Sequence, residues 1–195
     1  MLRITQNSSA DGTHKYFFGY YAEQELDTPR WYGKAADKIE LSGKIQEKDF
    51  EAICHNINPR TQEQLTARNT KDRTVGYDFT FSVPKSVSLI YALTKDKDII
   101  SAFNASIEKT MLEIETHAET RVRLKGKSEN RRTGNLIWGT FTHGESRPVD
   151  GIPDPQLHKH AFIFNATYDE VEDKWKAGQF RNLKANAPYL SLIHI

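Results

Sequence analysis

The chain has 195 residues, 37% of them hydrophobic and 11% aromatic, with 27 basic against 26 acidic side chains and a formal net charge of +1. This length allows one domain with a sizeable core, and the near-neutral balance excludes a histone-like binder that works by charge alone. No apolar run approaches the roughly 20 residues of a membrane span, the N-terminus lacks a signal-peptide pattern, and the single cysteine, Cys54, can form no internal disulfide.

In chain order, Leu2-Arg3-Ile4 predicts a short strand, and Asn7, Ser8, Ser9 and Asp11 offer caps for a helix running through Tyr16 to about Gln24. On that helix Tyr16 and Tyr20 share a face, and Phe17 and Tyr21 share the neighbouring row. Lys34 to Leu41 and Glu47 to Ile57 read as helices, the second with Phe50, Ile53, Cys54 and Ile57 at helical spacing, which makes Cys54 a small core residue. Gly76 to Ser82 alternates as a strand, with Tyr77, Phe79 and Phe81 on one face and Asp78, Thr80 and Ser82 on the other. Ser82 and Pro84 then start a helix with Val87, Leu89, Ile90 and Leu93. The longest helix is expected from Asp98 to Thr120, with Ile100, Phe103, Ile107, Met111 and Ile114 as its core stripe. Arg121, Arg123, Lys125, Lys127, Arg131 and Arg132 crowd a basic loop opposed only by Glu129, suited equally to gripping phosphates and to simple solvation. Strands at 136–142 and 157–166 follow, then a hairpin whose return strand includes Trp175, and Ala185 to Ile195 begins like a helix that stops without a cap. The order fits an α+β two-layer sandwich, a central antiparallel sheet with helices over one face.

The chemistry concentrates in His158-Lys159-His160. On a strand the two imidazoles project to one side and Lys159 to the other. His143 closes the preceding strand, so pairing of the two would bring three imidazoles toward one ion and leave coordination positions open for a substrate. Tyr16, Tyr20 and Tyr21 supply phenols, which are weak nucleophiles unless a cation or base is nearby. Asp78, flanked on its face by Thr80 and Ser82, could hold a histidine ring or accept a tyrosine proton.

These features stand in a familiar order. N-terminal tyrosines precede Gly76-Tyr77-Asp78-Phe79-Thr80-Phe81-Ser82-Val83-Pro84-Lys85-Ser86-Val87-Ser88, Thr133-Gly134-Asn135-Leu136, His143 and Asp154-Pro155-Gln156-Leu157-His158-Lys159-His160. Trp31-Tyr32-Gly33-Lys34-Ala35 and Leu41-Ser42-Gly43 fit the same pattern. Together they closely resemble the relaxase domain of conjugative plasmids, of the TrwC/TraI (MobF) kind within the HUH endonucleases, from Leu2 to about Asn186.

The resemblance implies an HUH, palm-like fold and a single relaxase domain over 1–195, truncated at its C-terminal end. It also implies a bacterial cytoplasmic, monomeric enzyme that binds single-stranded plasmid DNA at a transfer origin, at a hairpin plus nick site. Accessory relaxosome and coupling proteins are implied as partners, with no membrane insertion. The implied reaction is attack of a tyrosine on the scissile phosphate, leaving a 5′-phosphotyrosine and a free 3′ hydroxyl. Carried onto this chain, His143, His158 and His160 are the ligands of one divalent ion, magnesium or manganese first, with zinc, nickel or cobalt as alternatives. Tyr16 matches the first tyrosine, Tyr20 and Tyr21 the later pair, and Asp78 the acidic residue beside the site. Lys85 and the six cations from Arg121 to Arg132 are the candidate DNA contacts. Two other readings stay open: a non-catalytic DNA-hairpin-binding remnant, and an HUH nuclease of rolling-circle replication or transposition. Tyrosines placed before the histidines favour a relaxase over the second.

Overall fold

Alternating apolar residues build a six-stranded sheet in this computed structural model, which describes residues 1–20, 26–70, 72–148 and 150–193. The elements run β1 Leu2–Asn7, α1 Ala10–Lys15, a π-helical turn Tyr16–Tyr20, β2 Arg30–Tyr32, α2 Lys34–Asp37, β3 Gly43–Lys44, α3 Glu47–Cys54, β4 Gly76–Ser82, α4 Lys85–Thr94 and α5 Lys97–Thr116. Then come β5 Glu119–Leu124, β6 Lys127–Arg132, β7 Trp138–Glu145, β8 Pro155–Phe164, β9 Thr167–Asp169, β10 Lys174–Lys176, α6 Arg181–Ala185 and α7 Ala187–Ile193. The sheet order is β1-β4-β8-β7-β2-β3, antiparallel throughout.

Strand alternation divides the core between the two faces of this sheet. Phe141, Phe162 and Phe164 meet Phe17, Ala35, Phe50 and Ile53 on one face. Phe79, Phe81, Ala161 and Ile163 meet Phe103, Ile107, Met111 and Ile114 of α5 on the other. The α+β sheet is thus covered on both sides: the long helices form the expected layer, and the shorter α1 to α3 add a second over the face that carries the histidines.

Four local features go beyond or depart from the sequence reading. The basic stretch is a β-hairpin rather than a loop, because Lys125 and Gly126 take positive φ (48° and 82°) and turn the chain back on itself. The long helix ends at Thr116, since Ala118 accepts backbone bonds from Thr133 and Gly134 and Glu119 is drawn into β5. On α4 the buried residues are Ser88 and Tyr91, while Leu89, Ile90 and Leu93 are exposed. The N-terminal helix also changes pitch: α1, capped by Ser9 Oγ accepting from Gly12 N at 3.0 Å, widens at Tyr16. In a π-turn the backbone repeat is i to i+5 rather than i to i+4.

Gly33 shows how tightly α2 is seated. It stands before α2 at φ 103°, and a Cβ there would lie 2.2 Å from the Leu136 carbonyl oxygen. Beside it, the buried Glu115 carboxylate accepts the Lys34 and Leu136 amides at 2.8 Å each, tying α5 to α2 and to the start of β7. Burial pushes its pKa upward, against the pull of those two bonds.

Candidate active site

Antiparallel pairing of β7 with β8 sets His143 directly opposite His158 and Phe141 opposite His160. Directly paired residues share a face, so all three imidazoles lie on the α1–α3 side. Their ring centroids are 5.1 Å (158–160), 5.3 Å (143–158) and 5.5 Å (143–160) apart. Asp78, on β4 opposite Phe162, belongs to the same face and is buried.

Two of the rings have their tautomers fixed by what Nδ1 touches. His160 Nδ1 donates to the Asp78 carboxylate at 2.8 and 3.0 Å, and His158 Nδ1 donates to the Gln156 carbonyl at 2.8 Å. In each case the hydrogen bond at Nδ1 leaves Nε2 as the nitrogen that can face a metal. Burial lowers the His158 pKa from its ordinary 6.5, against the raising effect of the Gln156 bond, and favours the neutral ligand form. As placed, no group of three or more His, Cys, Asp or Glu donors among the described residues meets the geometry of a bound ion. The fit rests on the donor set itself: three buried imidazoles on rigid strands, one held by a carboxylate, suit a divalent transition metal once the rings turn to a common point.

Tyr16 stands beside this cluster, its ring edge-on to His160 at 5.8 Å between centroids. Its neighbour Phe17 anchors the turn, stacking on Phe141 at 4.5 Å and packing edge-on against Phe162. The hydrophobic anchor and the phenol are adjacent in sequence, which sets Tyr16 at the rim of the core. The Tyr20 side chain and all of Tyr21 lie outside the described residues.

Tyr16, Asp78, Thr80, His158 and His160 line an open cleft of about 760 Å³ together with Arg3, Ser9 and Arg147. Arg147 places its guanidinium 5.1 Å from the Tyr16 ring centroid. Sequence reading passed over this residue. The signal was its place in the β7–β8 connection, four residues past His143.

The candidate DNA contacts divide. Lys85, at the start of α4, bonds Asp154 and donates to the Pro155 carbonyl at 2.9 Å, where the histidine strand begins. In the β5–β6 hairpin, Arg121 pairs with Asn130, and Glu119 with Arg132. One face therefore carries Arg121, Arg123 and Arg132, and the other carries Lys127, Glu129 and Arg131. Arg131 is committed to Asp169 at 2.8 Å and Glu172 at 3.4 Å, whereas Arg121, Arg123, Lys125 and Lys127 are exposed. The hairpin joins β7 near Trp138, so about 17 Å of strand separates it from the His143 end.

Residues 4–194 match the family described as TrwC relaxase. The chain is 33% identical over 197 residues to the multifunctional conjugation protein TraI of Escherichia coli strain K12, covering 95% of this chain and 11% of that protein. A second TraI of Escherichia coli is 34% identical over 181 residues, covering 90% of this chain and 10% of that one. The chain thus spans about a tenth of the length of these curated relatives. Among solved structures it resembles the metal-bound conjugative relaxase TrwC in complex with oriT DNA, at a TM-score of 0.87 and 30% identity, covering the whole chain and 66% of the other. A TrwC complex with a 27-mer DNA that comprises the recognition hairpin and the cleavage site gives a TM-score of 0.83 at 29% identity, covering the whole chain and 65% of the other. A copper-bound TrwC complex with oriT DNA matches at 0.85 and 31%, covering the whole chain and 67% of the other.

Proposed function

The chain belongs to the TrwC relaxase family, and from that premise we propose that it nicks one strand of plasmid DNA at a transfer origin, using Tyr16 as the nucleophile. The observation that carries this reading is the adjacency of Tyr16 to His160 in an open cleft that His158 also lines, with the buried His143 packed against both imidazoles. The Tyr16 oxygen attacks the scissile phosphorus, a P–O bond to tyrosine forms, and the bond to the 3′ oxygen breaks. The phenolic proton ends on that leaving oxygen as the free 3′ hydroxyl. One phosphodiester replaces another, so the linkage remains reversible by a strand end.

His143, His158 and His160 would hold the divalent ion, in keeping with the metal-bound relatives. The chemistry such an ion supplies is that of a Lewis acid at a non-bridging phosphoryl oxygen, where charge builds in the transition state. Magnesium or manganese are the ions of choice by availability, while imidazole donors also suit zinc, nickel, cobalt or copper. Asp78 holds the His160 ring, since its carboxylate is already engaged at Nδ1. Arg147 and Arg3 supply positive field at the cleft for the phosphate backbone. Tyr20 and Tyr21 remain candidates for a second strand transfer.

The β5–β6 hairpin has the dimensions of an element that enters a major groove, and its Arg121, Arg123 and Arg132 face suits the duplex stem of a DNA hairpin. The remnant reading, binding without chemistry, uses this same ribbon. The test uses single-stranded oligonucleotides tiled from DNA beside this gene, with manganese present. A protein–DNA adduct on a denaturing gel, absent in Tyr16→Phe, is the expected result. Non-covalent binding without any adduct would leave a recognition module and overturn the nicking proposal.

A further inference from the structure

Lys159 occupies the middle of the His-x-His motif and is only 5% exposed, on the face of the sheet opposite the histidines. Its ammonium donates to Asn104 Oδ1 of α5 at 2.7 Å and meets Asp27 Oδ2 at 3.3 Å. Asn104 Nδ2 donates to the same Asp27 oxygen at 3.1 Å, which closes a three-residue ring. A buried cation is tolerated only when it is paired and hydrogen-bonded in this way. The ring borders a cleft of about 300 Å³, where Arg30 and Glu108 are the other charged groups.

What the ring holds gives it a role. Asp27 lies just downstream of the tyrosine-bearing segment, whose first phenol is Tyr16. The adjoining Leu26 amide donates to the Thr142 carbonyl at 2.9 Å, and Thr142 is the residue directly opposite Lys159 across β7 and β8. Two anchors therefore converge on a single rung of the sheet, one residue from His143 and one from each of His158 and His160. Upstream, Phe17 pins the same segment into the core.

We infer that Lys159, Asp27 and Asn104 form a positioning clasp on the reverse side of the sheet, fixing Leu26 and Asp27, which follow the tyrosine-bearing segment in sequence, against the strands that carry the three histidines. This rests on the nicking reading for its catalytic consequence, but the anchoring itself does not. Lys159 is a positioning residue: it touches neither the phosphate nor the ion, and acts by limiting where the tyrosine segment can lie. Misplacement of a reacting group by about 1 Å is enough to slow a reaction by about 100-fold.

The test is Lys159→Met, a replacement of similar length that keeps the apolar stem packed, with Asn104→Ala as a second variant that leaves the buried charge paired to Asp27. Two readouts are taken on the full chain. Hydrogen exchange at the Leu26 amide reports anchoring without any activity, and the rate of adduct formation at saturating oligonucleotide reports placement of the nucleophile. We expect faster Leu26 exchange in both variants, with the β8 amides still protected. Adduct formation slows by up to about 100-fold, while manganese affinity and oligonucleotide affinity stay unchanged. A structural contribution alone would lower the melting temperature and leave the saturated rate as it was. Unchanged Leu26 exchange in both variants overturns the clasp. If the unaltered chain forms no adduct, the nicking proposal fails, and the exchange data still decide the clasp.

Discussion

The β7–β8 pair and the β5–β6 hairpin are both antiparallel ribbons that carry a dense cluster of one chemistry, yet the same two-residue alternation gathers one cluster and divides the other. His158 and His160 are two apart and His143 is directly opposite, so every imidazole reaches one face. The register of the hairpin pairs odd positions of β5 with even positions of β6, so Arg121 and Arg123 share a face with Arg132 and part from Lys127 and Arg131. Burial completes the difference. The histidines sit under α1 and the π-turn, while most of the hairpin cations stay in water. A cluster in sequence becomes a site only when spacing, pairing register and cover agree.

The largest effect is expected on the histidine side. His160→Ala should lower manganese affinity by orders of magnitude and abolish the adduct; calorimetry showing unchanged stoichiometry and affinity would break the three-imidazole site. Asp78→Ala should be milder, about 10–100-fold in metal affinity, because it removes the group that orients His160 rather than a ligand.

Within the hairpin the two faces should answer differently. Arg131→Ala withdraws a partner from Asp169, a carboxylate that is 1% exposed, and is expected to lower stability by about 1–3 kcal/mol in urea titrations. Burial pushes the Asp169 pKa up, but hydrogen bonds from Arg131, Lys176 and the Val171 amide outweigh it and hold the carboxyl below its ordinary 3.8. A depressed acid stabilises the fold above its unfolded pKa and loses that contribution as the pH falls through the folded value. The difference between the Arg131→Ala variant and the parent should therefore be full above pH 3.8 and shrink below it. A difference that grows on acidification would show that the pairing with Asp169 is not its source.

The smallest effect is expected from Arg121→Ala with Arg123→Ala. Stability should not change, while the slope of log affinity against log salt for a hairpin oligonucleotide should flatten by about 1.8, because two duplex phosphates would no longer release their counterions. An unaltered slope would mean that this face is merely solvated.

Much of this was legible in the sequence because it depends on short-range pattern. Residues 76–82 alternate cleanly and form β4 with those bounds, and the His-x-His spacing alone puts both rings on one face. Strand-like flanks likewise pointed to a pairing that could bring in His143. The parts that were not legible depend on distant partners. The pairing of Lys159 gave no signal because Asn104 and Asp27 lie 55 and 132 residues away in sequence. Glu115 gave no signal because its partners are backbone amides of α2 and the approach to β7. The charge count from Arg121 to Arg132 was visible, but the turn at Lys125-Gly126 that sorts those charges onto two faces was read as loop. The basic loop and the exposed apolar residues of α4 show that composition predicts character better than orientation.

The most direct test of the central claim, that Tyr16 and the three histidines form one reaction centre, is to digest the covalent protein–DNA adduct and identify the nucleotide-bearing peptide by mass spectrometry. The expected result is a 5′ phosphate esterified to Tyr16, and an adduct that disappears when His160 is replaced by alanine. A phosphate carried by any other residue, or an adduct that persists in His160→Ala, would contradict it.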